Sequence, residues 1–234
     1  MTDSRLQKEE EMKKFLALII IFALAICSSA VAAEKELEIQ GKKLMSRTPP
    51  FTLNLPAELR WVHSSTVEYP KESSRTRAYF FIREKSKQLE QMVIVQIADR
   101  TNPMAEPMTV PPLKPDTDNR MYIKRNLKKE KVDVDYMIQL IVWNPEAPSL
   151  EPIVKKGIGI PSQWALQGQI LFPYVGEHAV FIRYSRDVTS FGMRVSGKGD
   201  DWNRESISGN EKKAYEVFQK DFMGAIDSLT FKTP

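Results

Sequence analysis

Gln167-Gly168-Gln169-Ile170-Leu171-Phe172, then Pro173-Tyr174-Val175-Gly176-Glu177, then His178-Ala179-Val180-Phe181-Ile182-Arg183-Tyr184 reads as two strands closed by a turn. Successive side chains of a strand point to opposite faces, so His178, Val180, Ile182 and Tyr184 share one face and Ala179, Phe181 and Arg183 the other. Gly176 supplies the residue able to take a positive φ in the connection. The stretch predicts an antiparallel hairpin, and the same period of two recurs on either side of it. Upstream, Ala78, Phe80 and Ile82 oppose Tyr79, Phe81 and Arg83, while Val93, Val95 and Ile97 oppose Met92, Ile94 and Gln96. Strands that are apolar on both faces belong inside a sheet, and the short polar stretch from Glu84 to Leu89 predicts a second hairpin. Tyr136, Ile138, Leu140 and Val142, set against Met137, Gln139, Ile141 and Trp143, predict a further strand. Phe51, Leu53 and Leu55 alternate with Thr52 and Asn54 until Pro56 breaks the run, and Trp61, His63 and Ser65 share one face of another strand.

The segments between these strands differ in kind. Asn102 to Asp118 carries Pro103, Pro107, Pro111, Pro112 and Pro115. Each proline removes a backbone donor, which predicts a long stiff loop, and loops of this length are either functional or disordered. Asp118 to Lys131 holds Arg120, Lys124, Arg125, Lys128, Lys129 and Lys131, with Ile123 and Leu127 spaced for one helical face. It predicts a solvated helix lying on the sheet, the alternative being a helix for anions or a membrane surface. Pro145 to Pro161 is broken by prolines and glycines and leaves room for a short helix within Leu150 to Lys156; Ser196 to Gly209 is loop-like. From Gly209 to Leu229 an apolar stripe of Ala214, Val217, Phe218, Phe222, Ala225, Ile226 and Leu229 recurs with helical period, behind a Ser208/Glu211 capping box, and Phe231 begins a last short strand. The expectation is an α+β fold: a mainly antiparallel sheet flanked by helices, an αβα sandwich, forming a single domain over 51–234 with a C-terminal amphipathic helix.

The N-terminus addresses location. Met12-Lys13-Lys14 precedes an apolar run from Phe15 to Cys27 and a small-residue tail, Ser28-Ser29-Ala30-Val31-Ala32-Ala33. Basic start, apolar core and small residues at −3 and −1 make a bacterial secretory signal, with Ala30, Ala32 and Ala33 forming the signal-peptidase site and cleavage after Ala32 or Ala33. Glu9-Glu10-Glu11 stands where such a signal is positive, which places the start of translation at Met12 and the signal within 1–33. Two rival readings attach to the segment. The uncharged run from Phe15 to Ala33 is close to the roughly 20 residues a spanning helix needs, which would make it an inner-membrane anchor. Leu24-Ala25-Ile26-Cys27 resembles a lipobox, though Ile26 stands where that pattern has a small residue. Residues 34–50, polar and lysine-bearing, read as a tether between signal and domain. The protein is therefore expected to be periplasmic or secreted.

Composition limits the classes of function. The 234 residues carry 34 Lys and Arg against 30 Asp and Glu, a net charge of +4 that is too small to imply nucleic acid as a partner. With 42% hydrophobic residues the chain can bury a core, and wholesale disorder is excluded. Cys27 is the one cysteine, so the processed chain would have no disulfide and no thiol nucleophile. His63 and His178 stand far apart without ligand-spaced carboxylates, which predicts no metal and no other cofactor. No Gly-x-Ser-x-Gly elbow supports a serine triad, and Gly157-Ile158-Gly159-Ile160-Pro161 lacks the third glycine of a nucleotide loop. The paired carboxylates Asp133/Asp135 and Asp200/Asp201 read as solvated or turn residues, and Trp61, Trp143, Trp164 and Trp202 as core packing rather than a sugar groove.

Phe51-Thr52-Leu53-Asn54-Leu55-Pro56-Ala57 at the opening and Ile226-Asp227-Ser228-Leu229-Thr230-Phe231 at the close, behind an exported leader, resemble the PsbP-like family over about residues 51–232. That family includes the extrinsic photosystem protein and relatives that bind a small GTPase. The resemblance implies an αβα sandwich acting as a non-catalytic binding or assembly factor, and it carries over no site residue. The functional expectation is an exported, non-enzymatic binding protein of the bacterial envelope, whose partner is an envelope protein or a small ligand met at the sheet face or the proline-rich loop. Membrane contact would come only through an uncleaved N-terminal segment. The alternative is a periplasmic hydrolase with carboxylates drawn from distant segments.

Overall fold

A computed structural model describes residues 36–115, 122–143, 146–147, 150–160, 164–192, 195, 202–203 and 205–232. The chain divides into two units, 1–38 and 39–234. The first is described only at residues 36–38, so Ala30, Ala32, Ala33 and Cys27 lie outside the described residues. The second holds the whole of the large sheet, nearly all of the small one and the long C-terminal helix.

Seven strands form one antiparallel sheet: β4 (Arg60–Tyr69), β5 (Ser74–Lys85), β6 (Gln88–Arg100), β7 (Tyr122–Lys129), β8 (Val132–Val142), β9 (Trp164–Tyr174) and β10 (His178–Asp187). Their order is β4-β5-β6-β10-β9-β8-β7, so both expected hairpins are present and β10 is the central strand. The connection between β9 and β10 turns through Val175 and Gly176, with φ of 55° and 70°. That between β5 and β6 turns through Ser86 and Lys87, both with positive φ, a geometry that matches the twist of the paired strands. A smaller sheet has the order β1-β2-β3-β11, with β1 (Leu37–Gln40), β2 (Lys43–Arg47), β3 (Pro50–Asn54) and β11 (Thr230–Phe231).

Register across the large sheet sorts its residues into two faces. Tyr184 lies opposite Val93 and Gly168, and Val93 opposite Phe81; Ile182 lies opposite Val95 and Ile170. This face is covered. Helix α2 (Gly209–Ser228) packs Phe218 onto Tyr184, with ring centroids 5.3 Å apart, and Phe222 against Tyr136 at 6.4 Å. A Cβ at Gly168 would run into the Phe222 ring, so glycine is what lets the helix approach the sheet there. The small sheet continues the cover: Phe172 meets Phe51 at 5.6 Å and Phe231 at 5.0 Å. At the far end of this face Asp99 is buried, accepting 2.8 Å bonds from Arg77 Nε and Nη2, while Arg77 Nη2 also donates to the Thr48 carbonyl at 3.1 Å.

The αβα expectation is overturned. One long helix, α2, covers one face; helix α1 (Glu151–Val154) on the other side is a single turn, and the fold is a β-rich pairing of two antiparallel sheets. The basic segment expected as a flanking helix is the edge strand β7, paired with β8 from Tyr122↔Gln139 to Lys129↔Val132. Ile123 and Leu127 are four residues apart, and four is an even number: the spacing fits one face of a strand as well as one face of a helix. Residues 34–50 are not a tether either, because β2 and the start of β3 lie within them and Leu44 is wholly buried. The charged residues of that stretch hid an alternation of Leu44 and Ser46 against Lys43 and Arg47.

The C-terminal helix matches its sequence pattern at Ala214, Phe218, Phe222, Ala225 and Ile226; Val217 is exposed instead, and Tyr215 is buried. Ser208 occupies the N-cap position, but its side chain makes no capping hydrogen bond. A bulge between Trp61 and His63 sets Trp61 opposite Phe81 and His63 opposite Phe80, so the two do not share a face as their spacing predicts.

Candidate functional site

Among the described residues the second face of the large sheet is covered at two places. At one, residues 150–160 lie over it: Gly159 N donates to the Lys87 carbonyl at 2.8 Å and Leu89 N to the Gly159 carbonyl at 2.9 Å. Leu150, Ile153 and Ile158 there join Phe80, Met92, Ile94 and Trp143 in an apolar cluster. At the other, the proline-rich loop is fastened by Met108 N to the Gly176 carbonyl at 2.7 Å, and by Arg100 and Lys124, which donate to the carbonyls of Ala105 and Leu113. Leu113 is buried with Met137 and Leu171, beside Val110 and Phe181. The described part of the loop is thus tied to the sheet by hydrogen bonds and by the burial of Leu113.

Between the two covers runs a groove with a polar floor. Arg183 points into it from the central strand, opposite Ile94 on one side and Gln169 on the other. Its Nη2 donates to Gln96 Oε1 at 2.9 Å, its guanidinium carbon stands 5.3 Å from the Phe181 ring centre, and its Nε is buried without an acceptor. Among the described residues no carboxylate pairs with it, and burial alone pulls its pKa down. Next to it lies a row of amides. Gln167 Oε1 accepts from Gln169 Nε2 at 2.6 Å and Gln139 Nε2 at 3.3 Å, and Gln167 Nε2 donates to Ser185 Oγ at 3.1 Å.

Two pockets open along the groove, and Gln169 lines both. The first, about 230 Å³, is lined by Arg183, Gln139, Gln167 and Gln169 together with Met92 and Trp143, whose buried indole Nε1 has no partner. The second, about 430 Å³, lies beneath Val110, Pro111, Pro112 and Leu113, with Leu171, Ala179 and Phe181 as its floor. Among the described residues the first offers one cation and a row of side-chain amides, and the second is mainly apolar, with Thr76, Gln96 and Lys114 also in its lining.

The residues singled out from sequence fall elsewhere. His178 Nδ1 is 2.9 Å from Asp99 Oδ1 on the covered face. Burial pushes the Asp99 pKa up, but hydrogen bonds from His178 and Arg77 and their charge outweigh it and hold the carboxyl below its ordinary value. His63 sits against Phe80 at 5.7 Å. Asp135 accepts a bond from Asn126 at 2.8 Å, and Asp200 and Asp201 lie outside the described residues. Trp143 and Trp202 are buried, whereas Trp61 is 42% exposed with Lys156 over its ring. No group of three or more His, Cys, Asp and Glu gathers among the described residues. The groove residues left one trace in the sequence: Gln96, Gln139, Gln167, Gln169 and Arg183 stand between apolar residues of the same strand phases, and the pairings place all of them on one face.

No helix among the described residues is long and apolar enough to cross a membrane. Comparison of the chain with protein-family models, with curated proteins and with solved structures returns no match.

Proposed function

We propose that this chain is an exported, non-enzymatic binding protein of the bacterial envelope that holds a small ligand in the groove on the second face of its large sheet. The observation that carries this reading is the guanidinium of Arg183, part-buried in a groove with no carboxylate partner among the described residues. A buried charge is normally paired, and the free energy of leaving one unpaired is recovered when a ligand supplies the partner. Pocket volumes of a few hundred Å³, a few convergent polar groups and apolar walls suit a small molecule. Export rests on the signal-like run from Met12 to Ala33, and the non-catalytic class also on the resemblance of the two chain ends to the PsbP-like family.

A second reading, docking of an envelope protein, is favoured by the edge strand β4. It is unpaired along one side and exposes Trp61, Val67 and Tyr69, where the opposite edge β7 carries lysines and arginine that discourage strand addition. Native mass spectrometry of the protein purified from its own envelope fraction separates the readings. A chain beginning at Ala33 or Glu34 with a retained small molecule is the expected result. A stoichiometric protein partner and no small molecule would favour docking at β4, and a mass that keeps Phe15 to Ala33 would make the protein membrane-anchored.

A further inference from the structure

From the pairing of the two pockets we infer the class of ligand: an amphiphilic monocarboxylate, its carboxylate on Arg183 in the polar pocket and its apolar chain beneath the proline-rich loop. This rests on the groove-binding reading above and deepens it.

The head group follows from charge and donor geometry. Among the described residues Arg183 is the one cation lining the first pocket, where Nη2 is engaged by Gln96 while Nε and Nη1 have no acceptor. A planar guanidinium whose Nη1 has no acceptor among the described residues suits a carboxylate in charge, and a single negative charge leaves no excess to be buried. A cationic head would face Arg183 without a compensating carboxylate in the pocket lining. A neutral head would leave the guanidinium uncompensated. Trp143, Gln139, Gln167 and Gln169 line the same pocket and give it a polar character, and the buried Trp143 indole N–H has no acceptor in the protein.

The tail follows from the second pocket. Gln169 borders it as well as the first, Gln96 links it to Arg183, and from there Leu171, Ala179, Phe181, Val110 and Leu113 present carbon. The loop above contributes prolines, which have no backbone N–H to leave unsatisfied against an apolar chain. A ligand that is polar throughout would bury no apolar surface there, and one that is apolar throughout would leave the floor of the first pocket unmatched.

Octanoate, octanol and octylammonium share a chain and differ in head charge, so a ligand-observed NMR titration of the full chain with all three at neutral pH tests the inference. Octanoate should bind at least about tenfold more tightly than octanol, the discrimination expected of a hydrogen-bonded charge pair, and octylammonium should bind most weakly. Arg183→Gln should bring octanoate down to the level of octanol. Arg183→Lys, which keeps the charge and loses the fork, should fall between. Ala179→Trp, which fills the second pocket, should weaken octanoate and octanol alike. Equal affinity for octanoate and octanol, or preference for octylammonium, would overturn the carboxylate assignment and leave the groove as a binding site. Absence of binding by all three would overturn the groove reading with it.

Discussion

The two faces of the large sheet are built from alternate residues of the same strands, yet they have opposite characters. On the covered face Phe81, Val93, Val95, Ile170, Phe172, Ile182 and Tyr184 give a continuous apolar surface, and α2 and the small sheet close over it. On the other face the same strands place Gln96, Gln139, Gln167, Gln169 and Arg183 between two apolar clusters, and the covers stop on either side of them. One phase of each strand is thus spent on cohesion. The other gives up apolar contact at its centre, where folding alone would favour leucine or valine, and such local departures from the best-packed choice are where function is expected.

Substitutions on the two faces should therefore differ in size and in sign. Phe218→Ala on the covered face removes a fully buried ring stacked on Tyr184 and should cost about 3–5 kcal/mol, read by urea unfolding. An unchanged denaturation midpoint would mean that α2 is not part of the cooperative unit.

Asp99→Ala should come close behind, at about 3 kcal/mol or more, because it leaves the buried Arg77 without its carboxylate. The same group sets a pH dependence. Its folded pKa lies below the unfolded one, so its contribution is fully present above the unfolded value and is lost as pH falls through the folded value. The wild-type chain should therefore lose stability on acidification more steeply than Asp99→Asn, and parallel curves for the two would show that Asp99 has no part in the acid response. Gly168→Ala is a smaller insult, about 1–3 kcal/mol, since it adds one methyl against the Phe222 ring and should push α2 outward without abolishing folding. A thermal melt checks it, and a change in near-ultraviolet circular dichroism at constant far-ultraviolet signal should accompany the loss.

How far the sequence reveals this depends on which physical signal each part uses. The hairpin of β9 and β10 and the β5–β6 pair are legible because alternation is the direct imprint of a half-buried or buried strand, and α2 is legible because seven apolar residues recur with helical period. The segment from Asp118 to Lys131 is not, because Ile123 and Leu127 satisfy both periods and only the pairing with β8 decides between them. Residues 37–47 fail for another reason: their lysines and glutamates are what an edge hairpin places toward water, and by composition this looks like a linker. The groove is half legible. Alternation already puts Arg183 and Phe181 on one face, away from Tyr184. What it cannot carry is that the two covers of that face end on either side of Arg183, or that no carboxylate among the described residues meets it, because both depend on segments distant in the chain.

Arg183 also gives the comparison its smallest and sharpest test. A part-buried guanidinium with no carboxylate partner among the described residues destabilises the fold, so Arg183→Met, which keeps the length of the side chain and drops the charge, should leave stability unchanged or raise it by up to about 1 kcal/mol. The opposing term is Gln96 Oε1, which loses its donor, but it borders an open pocket where water replaces the bond. The expected signature is therefore a melting temperature at or slightly above that of the wild type together with lost octanoate binding. A residue kept for packing would show the reverse, and a drop of the size predicted for Phe218→Ala would move Arg183 from the binding face into the scaffold.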